Sequence, residues 1–321
     1  MFFLGAGASA PADVKGVVGL VDDYKEWLLS KGKAENKKII EEIENVLRRW
    51  LARQKIDRDV DIELLLEAIE RLENAKNDIL LGFYDNDKTS LPQLNDDGSF
   101  SAGLKQCIRE KCFVPEDKTR YLKPLSDFLT LYNTLDVFST NYDNSIEQFC
   151  LSNEIRCEVG FDSIVWNPDL YKELSNGIKL YKIHGSITSW KTEEDDYNNL
   201  PIKDVRIEIE LSSGKSATPA IVYPGKKLEY SEPIFDTLVE LKQQLRIARY
   251  IFIIGYSFKD EHITRLFQYA AKKNRKLIVT LLKPAITKFI SSYPVSPFSV
   301  SHSLPVTGSN VIPKLFLMPY A

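Results

Sequence analysis

Four short stretches hold the residue types best suited to chemistry: Gly5-Ala6-Gly7-Ala8-Ser9, Thr140-Asn141-Tyr142-Asp143, His184-Gly185-Ser186, and Gly255-Tyr256-Ser257 with Asp260 shortly after. Alternating glycine lets a backbone turn sharply and still leaves space for a ligand. If a helix follows such a turn, its unpaired N–H groups and dipole suit a phosphate or pyrophosphate. Gly5-x-Gly7-x-x-Ala10 fits the loose dinucleotide fingerprint, a pattern that ordinary strand-to-helix turns also satisfy. Gly255-Tyr256-Ser257 offers a second glycine turn with a hydroxyl, so the two stretches could hold the halves of a dinucleotide. Asn141, Asp143 and His184 supply acid/base or polar orienting capacity. Imidazole exchanges protons near neutral pH, and a positioned base contributes roughly 10²–10⁴ in rate. Each group also has a plainer use. Asn141 and Asp143 could cap a following helix, Ser257 could cap the helix beginning near Asp260, and His184 could be a satisfied histidine at a strand end.

These residues need a scaffold, and the pattern of the chain suggests one. Met1 to Leu4 is a short apolar run that breaks directly into the first glycine turn. Leu135 to Ser139, Lys179 to Ile183 and Tyr250 to Ile254 are similar runs, each stopping at one of the other three clusters. Ala220 to Tyr223 and Leu277 to Leu282 are further strand candidates. Helical patterns lie at 20–29, 144–151, 233–248 and 260–272. Short apolar strands alternating with helices predict an α/β protein with a Rossmann-like, doubly wound, mainly parallel sheet. Ligands of such sheets bind off the carboxyl ends of the strands, where the strand order reverses.

Residues 31–130 read as a helical insertion between two parts of the core, 1–30 and 131–290, within one domain. Ile39, Ile40, Ile43, Val46, Leu47, Trp50 and Leu51 share one face of a helix over 34–54. Asp61 is placed to cap a second helix that buries Leu64, Leu65, Ala68, Ile69 and Leu72. Residues 84–99 read as a polar loop, and 121–132 as a helix. Five prolines exclude a long helix from the tail, 291–321, where only a last strand near 315–317 is expected. A dehydrogenase would place an acidic residue at the end of its second strand. Asp22 and Asp23 have the spacing but sit in a helical pattern.

The chain has 321 residues, 44% hydrophobic and 27% charged, with a net charge of −3, which suits a soluble protein with a substantial core. Its basic pairs are isolated, which argues against broad attraction to nucleic acid or an anionic membrane and leaves local binding of nucleic acid open. No run approaches a membrane span, and no signal peptide is expected. The cysteines, Cys107, Cys112, Cys150 and Cys157, lack a metal-type spacing and read as reduced thiols of a cytoplasmic protein. Cys150 and Cys157 fit the core, while His262 and His302 suit surface or packing roles.

Taken in order, Gly-Ala-Gly-Ala-Ser, Thr-Asn-Tyr-Asp, His-Gly-Ser and Gly-Tyr-Ser-Phe-x-Asp resemble the sirtuin-like domain of bacterial and archaeal antiviral defence proteins, from Gly5 to about Leu282. The resemblance implies an NAD⁺ glycohydrolase with NAD⁺ as substrate, releasing nicotinamide and ADP-ribose. It implies that Gly5, Ala6, Gly7, Ala8 and Ser9 hold the pyrophosphate, with Thr140 and Tyr256 in the binding stretches. Asn141 would orient the nicotinamide ribose and a water, supported by Asp143, with His184 as general base. Gly255 and Ser257 would hold the adenosine side, with Asp260 bracing that loop. Protein-deacylating sirtuins carry two Cys-x-x-Cys pairs after the His-Gly motif. No cysteine follows His184, so no zinc is expected and a deacylase is disfavoured. The opening strand is clipped relative to the family pattern, and native residues could precede Met1. By resemblance the activity is held latent by assembly, with self-association and a HerA-type ATPase or short Argonaute-type partner. The rival readings are a module that senses NAD or ADP-ribose without cleaving it, and a nucleic-acid-processing subunit of a HerA-type ATPase complex.

Overall fold

The computed structural model describes residues 1–74, 94, 99–162, 165–191, 197–199, 218–221, 233–274 and 277–282. The expected loop over 84–99 lies almost wholly outside them, and the tail with its strand near 315–317, and His302, lie outside entirely. In chain order the elements are β1 (Phe2–Leu4), α1 (Gly19–Ser30), α2 (Ala34–Arg53), α3 (Ile62–Glu73), α4 (Ser99–Cys112), α5 (Pro124–Leu131), β2 (Thr134–Ser139), α6 (Ser145–Ser152), β3 (Cys157–Glu158), β4 (Phe161–Asp162), β5 (Val165–Trp166), α7 (Leu170–Glu173), β6 (Gly177–Lys182), β7 (Gly185–Lys191), β8 (Tyr197–Asn199), β9 (Thr218–Ile221), α8 (Ile234–Ile247), β10 (Tyr250–Ile254), α9 (Glu261–Lys273) and β11 (Ile278–Leu282). Short 3₁₀ turns cover Ala6–Ala8, Ala10–Ala12 and Glu116–Leu122.

The central sheet has six strands in the order β11-β10-β1-β2-β6-β3, all parallel. Chain order therefore reverses between β1 and β10, where ligands of doubly wound sheets bind. Both faces of the sheet are buried, which is why its strands read as continuous apolar runs. On one face Phe3, Phe138, Tyr181, Ile251 and Ile253 pack with Leu241 and Leu245 of α8 and Ile263 and Phe267 of α9. On the other, Phe2, Leu4, Val137, Leu180 and Phe252 meet Leu125 and Phe128 of α5 and Ile146 and Phe149 of α6. Cys150 belongs to this second cluster and Cys157 packs against it. Burying one such side chain contributes roughly 1.5–3 kcal/mol.

By contact density the chain divides into two compact units. The first comprises Met1–Val14 and Phe113–Ala220 with the chain from Glu229 onward, and contains the central sheet. The second comprises Lys15–Cys112 with Ile221–Leu228. Its described helices, α1 to α4, close on a core that includes Leu28, Ile40, Leu65, Leu66, Ile69 and Leu104. Asp61 caps α3 by accepting from Leu64 N at 2.9 Å, as the sequence predicts. The apolar stripe of α2 is only partly used. Ile40, Ile43 and Leu51 are buried, whereas Val46 and Trp50 are exposed.

The helical pattern over 20–29 is α1, which begins at Gly19, and Pro11 stands in a second 3₁₀ turn before it. Two local expectations are corrected. The helix expected over 121–132 is broken, because Leu122 ends a 3₁₀ turn and Pro124 opens α5 afresh. The strand expected over 220–223 runs Thr218–Ile221, with 222 and 223 outside the described residues.

Glycine at the strand-order reversal serves backbone contact. Gly5 N donates to Ile254 O and Gly7 N to Gly255 O, both at 2.9 Å. A Cβ on Gly255 would stand 2.2 Å from Ala8 N and 2.3 Å from Gly7 C, and this residue also has φ +65. Gly255→Ala is therefore expected to cost at least about 2 kcal/mol, from left-handed strain plus a clash with backbone that cannot swing away. Urea denaturation of the two proteins measures it, and a difference within ~0.5 kcal/mol would refute the packing described here.

Candidate functional site

Register places the four clusters on one edge. Leu4 pairs with Ser139 and with Ile254, and Ser139 pairs with Lys182, so β1, β2, β6 and β10 end level with one another. The loops that leave these ends are tied together. Thr140 N donates to Leu4 O at 3.0 Å, Ile183 N to Ser139 O at 2.9 Å and Ile187 N to Tyr142 O at 2.9 Å.

At the centre lies a buried chain of side-chain hydrogen bonds. Asn141 Nδ2 donates to Gly5 O at 3.0 Å and to Ser9 Oγ at 2.8 Å. Ser9 Oγ donates in turn to Asp143 Oδ2 at 2.6 Å. The other carboxylate oxygen, Oδ1, accepts from Ser145 N at 3.0 Å and from the Ser145 hydroxyl. Asp143 thus secures the start of α6, the plain use open to it, while also fixing Ser9. Hydrogen bonds to a charged carboxylate are roughly twice as strong as neutral ones, so Asp143 anchors this chain. The Tyr121 hydroxyl lies beside Ser145 and Ser9, and burial pushes its pKa up to about 12.

The expected pyrophosphate loop is more constrained than its sequence suggests. The N–H groups of Gly5, Gly7, Ala8 and Ser9 all donate to backbone oxygens: Ile254, Gly255, Gly5 and Ala6 respectively. Ala6 and Gly7 are exposed on this loop, whereas Ala8 and Ser9 are buried. Across from it, Gly255 is buried and Ser257 is exposed. The Tyr256 ring points away into the core, against Phe3 at 4.9 Å and Phe258 at 5.0 Å. Of the fourth cluster, it is therefore Gly255, Ser257 and Asp260 that remain at the edge.

His184 is buried at the turn between β6 and β7, where Gly185 takes a left-handed φ of +80. Its Nε2 stands 3.3 Å from Asp260 Oδ2, an ion-pair distance when the ring is protonated. Asp260 also caps α9, with Oδ1 accepting from His262 N at 3.0 Å and Ile263 N at 3.3 Å. The cap foreseen for Ser257 is thus made by Asp260, and His262 is an exposed residue of the first helical turn.

Two charged residues beside the site carry no signal in the sequence. Lys182, last in β6, donates from Nζ to Asp143 O and stands 3.6 Å from Glu147 Oε1. Glu147 is buried within α6, and desolvation, its largest influence, raises its pKa, against the opposing field of Lys182. Both line a small concavity beside Phe161, Trp166, Tyr171 and Gly185. Among the described residues, no group of three or more His, Cys, Asp or Glu side chains is arranged to hold a metal ion. No described helix is long and apolar enough to cross a membrane.

A six-stranded parallel sheet of this order with its loops gathered on one edge defines a Rossmann-like α/β protein. Within it, residues 136–289 match the family model of the SIR2-like domain. The match takes in Asn141, Asp143, His184 and Asp260 and begins after the first glycine turn. Sirtuin-like domains form a family of NAD-dependent enzymes. Among solved structures, a Sir2 homologue–NAD complex is 12% identical with a TM-score of 0.47, over 94% of this chain and 82% of that one. A structure of Sir2Tm bound to a propionylated peptide is 12% identical with a TM-score of 0.39, over 90% of this chain and 83% of that one. No curated protein matches the chain in sequence.

The raised pKa of Glu147 sets a dependence on pH. A carboxyl with a higher pKa folded than unfolded holds its proton more tightly in the native state. Stability contributed in this way is present below the unfolded value, ~4.3, and is lost as pH rises through the folded one. The loss amounts to about 1.4 kcal/mol for each pH unit between the two values. Glu147→Gln removes the titration, so the variant is expected to gain stability relative to wild type as pH rises from 4 to 7. Thermal melts across that range test it, and a difference independent of pH would contradict it.

Proposed function

We propose that this protein is an NAD⁺ glycohydrolase that cleaves the nicotinamide–ribose bond to release nicotinamide and ADP-ribose. The observation that carries this reading is the level ending of β1, β2, β6 and β10, which sets the Gly5–Ser9 turn, Asn141, His184 and the Gly255–Asp260 loop on one edge. The sirtuin-like match over 136–289 supports it.

The chemistry asks little of the protein. Nicotinamide is bonded to ribose as a cationic pyridinium and leaves neutral, taking the bonding electron pair, so no acid is needed to protonate it. The paired carboxylic acid and carboxylate of ordinary glycosidases are then superfluous. What remains is to place a water against an oxocarbenium-like ribose and remove its proton. In this reading Asn141 orients the ribose and the water, and Asp143 holds Asn141 in place through Ser9. His184 takes the proton, directly or through a ribose hydroxyl. Ala6 and Gly7 on one side and Gly255 and Ser257 on the other flank the two ends of the dinucleotide. The proposal extends to a role as an NAD-depleting effector in antiviral defence, acting as a homo-oligomer with a partner such as a HerA-type ATPase or a short Argonaute-type protein.

The test is nicotinamide release from NAD⁺ by the purified chain. Wild type is expected to turn over, and Asn141→Ala and His184→Ala are each expected to lower kcat by on the order of 10²-fold or more. Unchanged turnover in folded variants, verified by thermal melting, would refute the assignment.

A further inference from the structure

Asp260 lies where it does two things at once. Its backbone is extended at the N-cap of α9, with φ −77 and ψ 109, and Oδ1 serves the helix by accepting from His262 N and Ile263 N. The second oxygen, Oδ2, lies 3.3 Å from His184 Nε2, within ion-pair distance though not aligned as a hydrogen bond. Both side chains are shielded, at 6% exposure for the histidine and 8% for the aspartate, so their interaction is little screened by water. The loop carrying Asp260 is held firmly. Phe258 has a left-handed φ of +55, its carbonyl accepts from the Thr264 hydroxyl at 3.1 Å, and Thr264 N donates to Asp260 O at 2.9 Å. On the other side, His184 is set by Ile183 N bonding to Ser139 O and by the turn at Gly185. Neither partner can drift from the other without unmaking the end of a strand or the start of a helix.

A carboxylate is negatively charged and can only accept, so its field favours hydrogen on the ring nitrogen nearest it. Such a second-shell carboxylate selects the tautomer of an imidazole and its orientation. We propose that Asp260 is the positioning residue of His184: it holds the neutral ring as the Nε2–H tautomer and thereby puts the proton-accepting lone pair on Nδ1. When Nδ1 takes a proton from the attacking hydroxyl, the oxygen keeps the electron pair, and the positive charge formed on the ring faces the Asp260 carboxylate. The catalytic part of this proposal rests on His184 acting as the base in NAD⁺ cleavage; the tautomer does not.

The chain has three histidines, so histidine-selective ¹⁵N labelling of the full-length protein gives a simple spectrum, with His184→Gln assigning the signal. Above the ring's titration range, wild type is expected to show its proton on Nε2 of His184. Asp260→Asn retains a capping oxygen for α9. With that oxygen at the helix, its NH₂ group faces Nε2, and the proton is expected to move to Nδ1. Asp260→Ser keeps a capping hydroxyl too short to reach the ring, and a mixture of tautomers is expected. A wild-type proton on Nδ1, or a tautomer that is the same in all three proteins, would overturn the proposal. In the nicotinamide-release assay, Asp260→Asn is expected to lower kcat by on the order of 10²-fold with KM for NAD⁺ within about threefold. A fall confined to KM would overturn the catalytic part. A tautomer that shifts as described in a chain with no NAD⁺ cleavage would uphold the positioning role and count against the glycohydrolase reading alone.

Discussion

The arrangement depends on how closely two backbones approach at the strand-order reversal. Gly5 and Gly7 on one side and Gly255 on the other meet without side chains between them, joined by N–H···O=C bonds that continue the β1–β10 ladder past the strand ends. That contact brings the first turn of the chain down onto the sheet edge. Ser9 is thereby delivered to Asn141 and Asp143, which arrive from the end of β2. Without it the two halves of the polar network would have no reason to meet. The glycines thus act first as structure, and any ligand is offered the outer surface of the turn.

Much of this was legible in the sequence. Parallel strands buried on both faces have no polar side to interrupt them, so β1, β2, β6, β10 and β11 stood out as apolar runs. Helices with full amphipathic stripes, such as α3 and α9, were equally plain, and Asp61 marked its helix in advance. The same logic failed where elements are too short for a period. The two-residue strands β3, β4 and β5 carry no pattern, and α4, with mixed polar and apolar residues, did not declare itself within the insertion. In α2 the stripe was real but wider than the core it meets, which left Val46 and Trp50 outside.

The site was legible as a set of strand-end clusters and not as a set of contacts. Polar residues directly after apolar runs signal the carboxyl edge of a doubly wound sheet, and that signal singled out Asn141, Asp143 and His184. It could not reveal that the backbone N–H groups of Gly5 and Gly7 would be consumed internally, because those two bonds depend on a loop far along the chain. Nor could it show that Tyr256 turns inward. Lys182 and Glu147 escaped notice because a lysine ending a strand and a glutamate on a helix are the most ordinary of surface residues. Only the packing of α6 against the end of β6 removes them from water.

The hydrogen bonds of Asn141 also fix a polarity. Gly5 O cannot donate, so the amide nitrogen must face it, and the second N–H goes to Ser9 Oγ, whose own hydrogen is committed to Asp143. Both amide hydrogens being engaged, the side chain offers its neighbourhood a lone pair and no proton. A group that binds there must bring its own hydrogen, as a hydroxyl or a water does, whereas a bare carbonyl or phosphoryl oxygen would meet repulsion. Four residues drawn from two distant parts of the chain thus act as a one-way valve for hydrogen bonding.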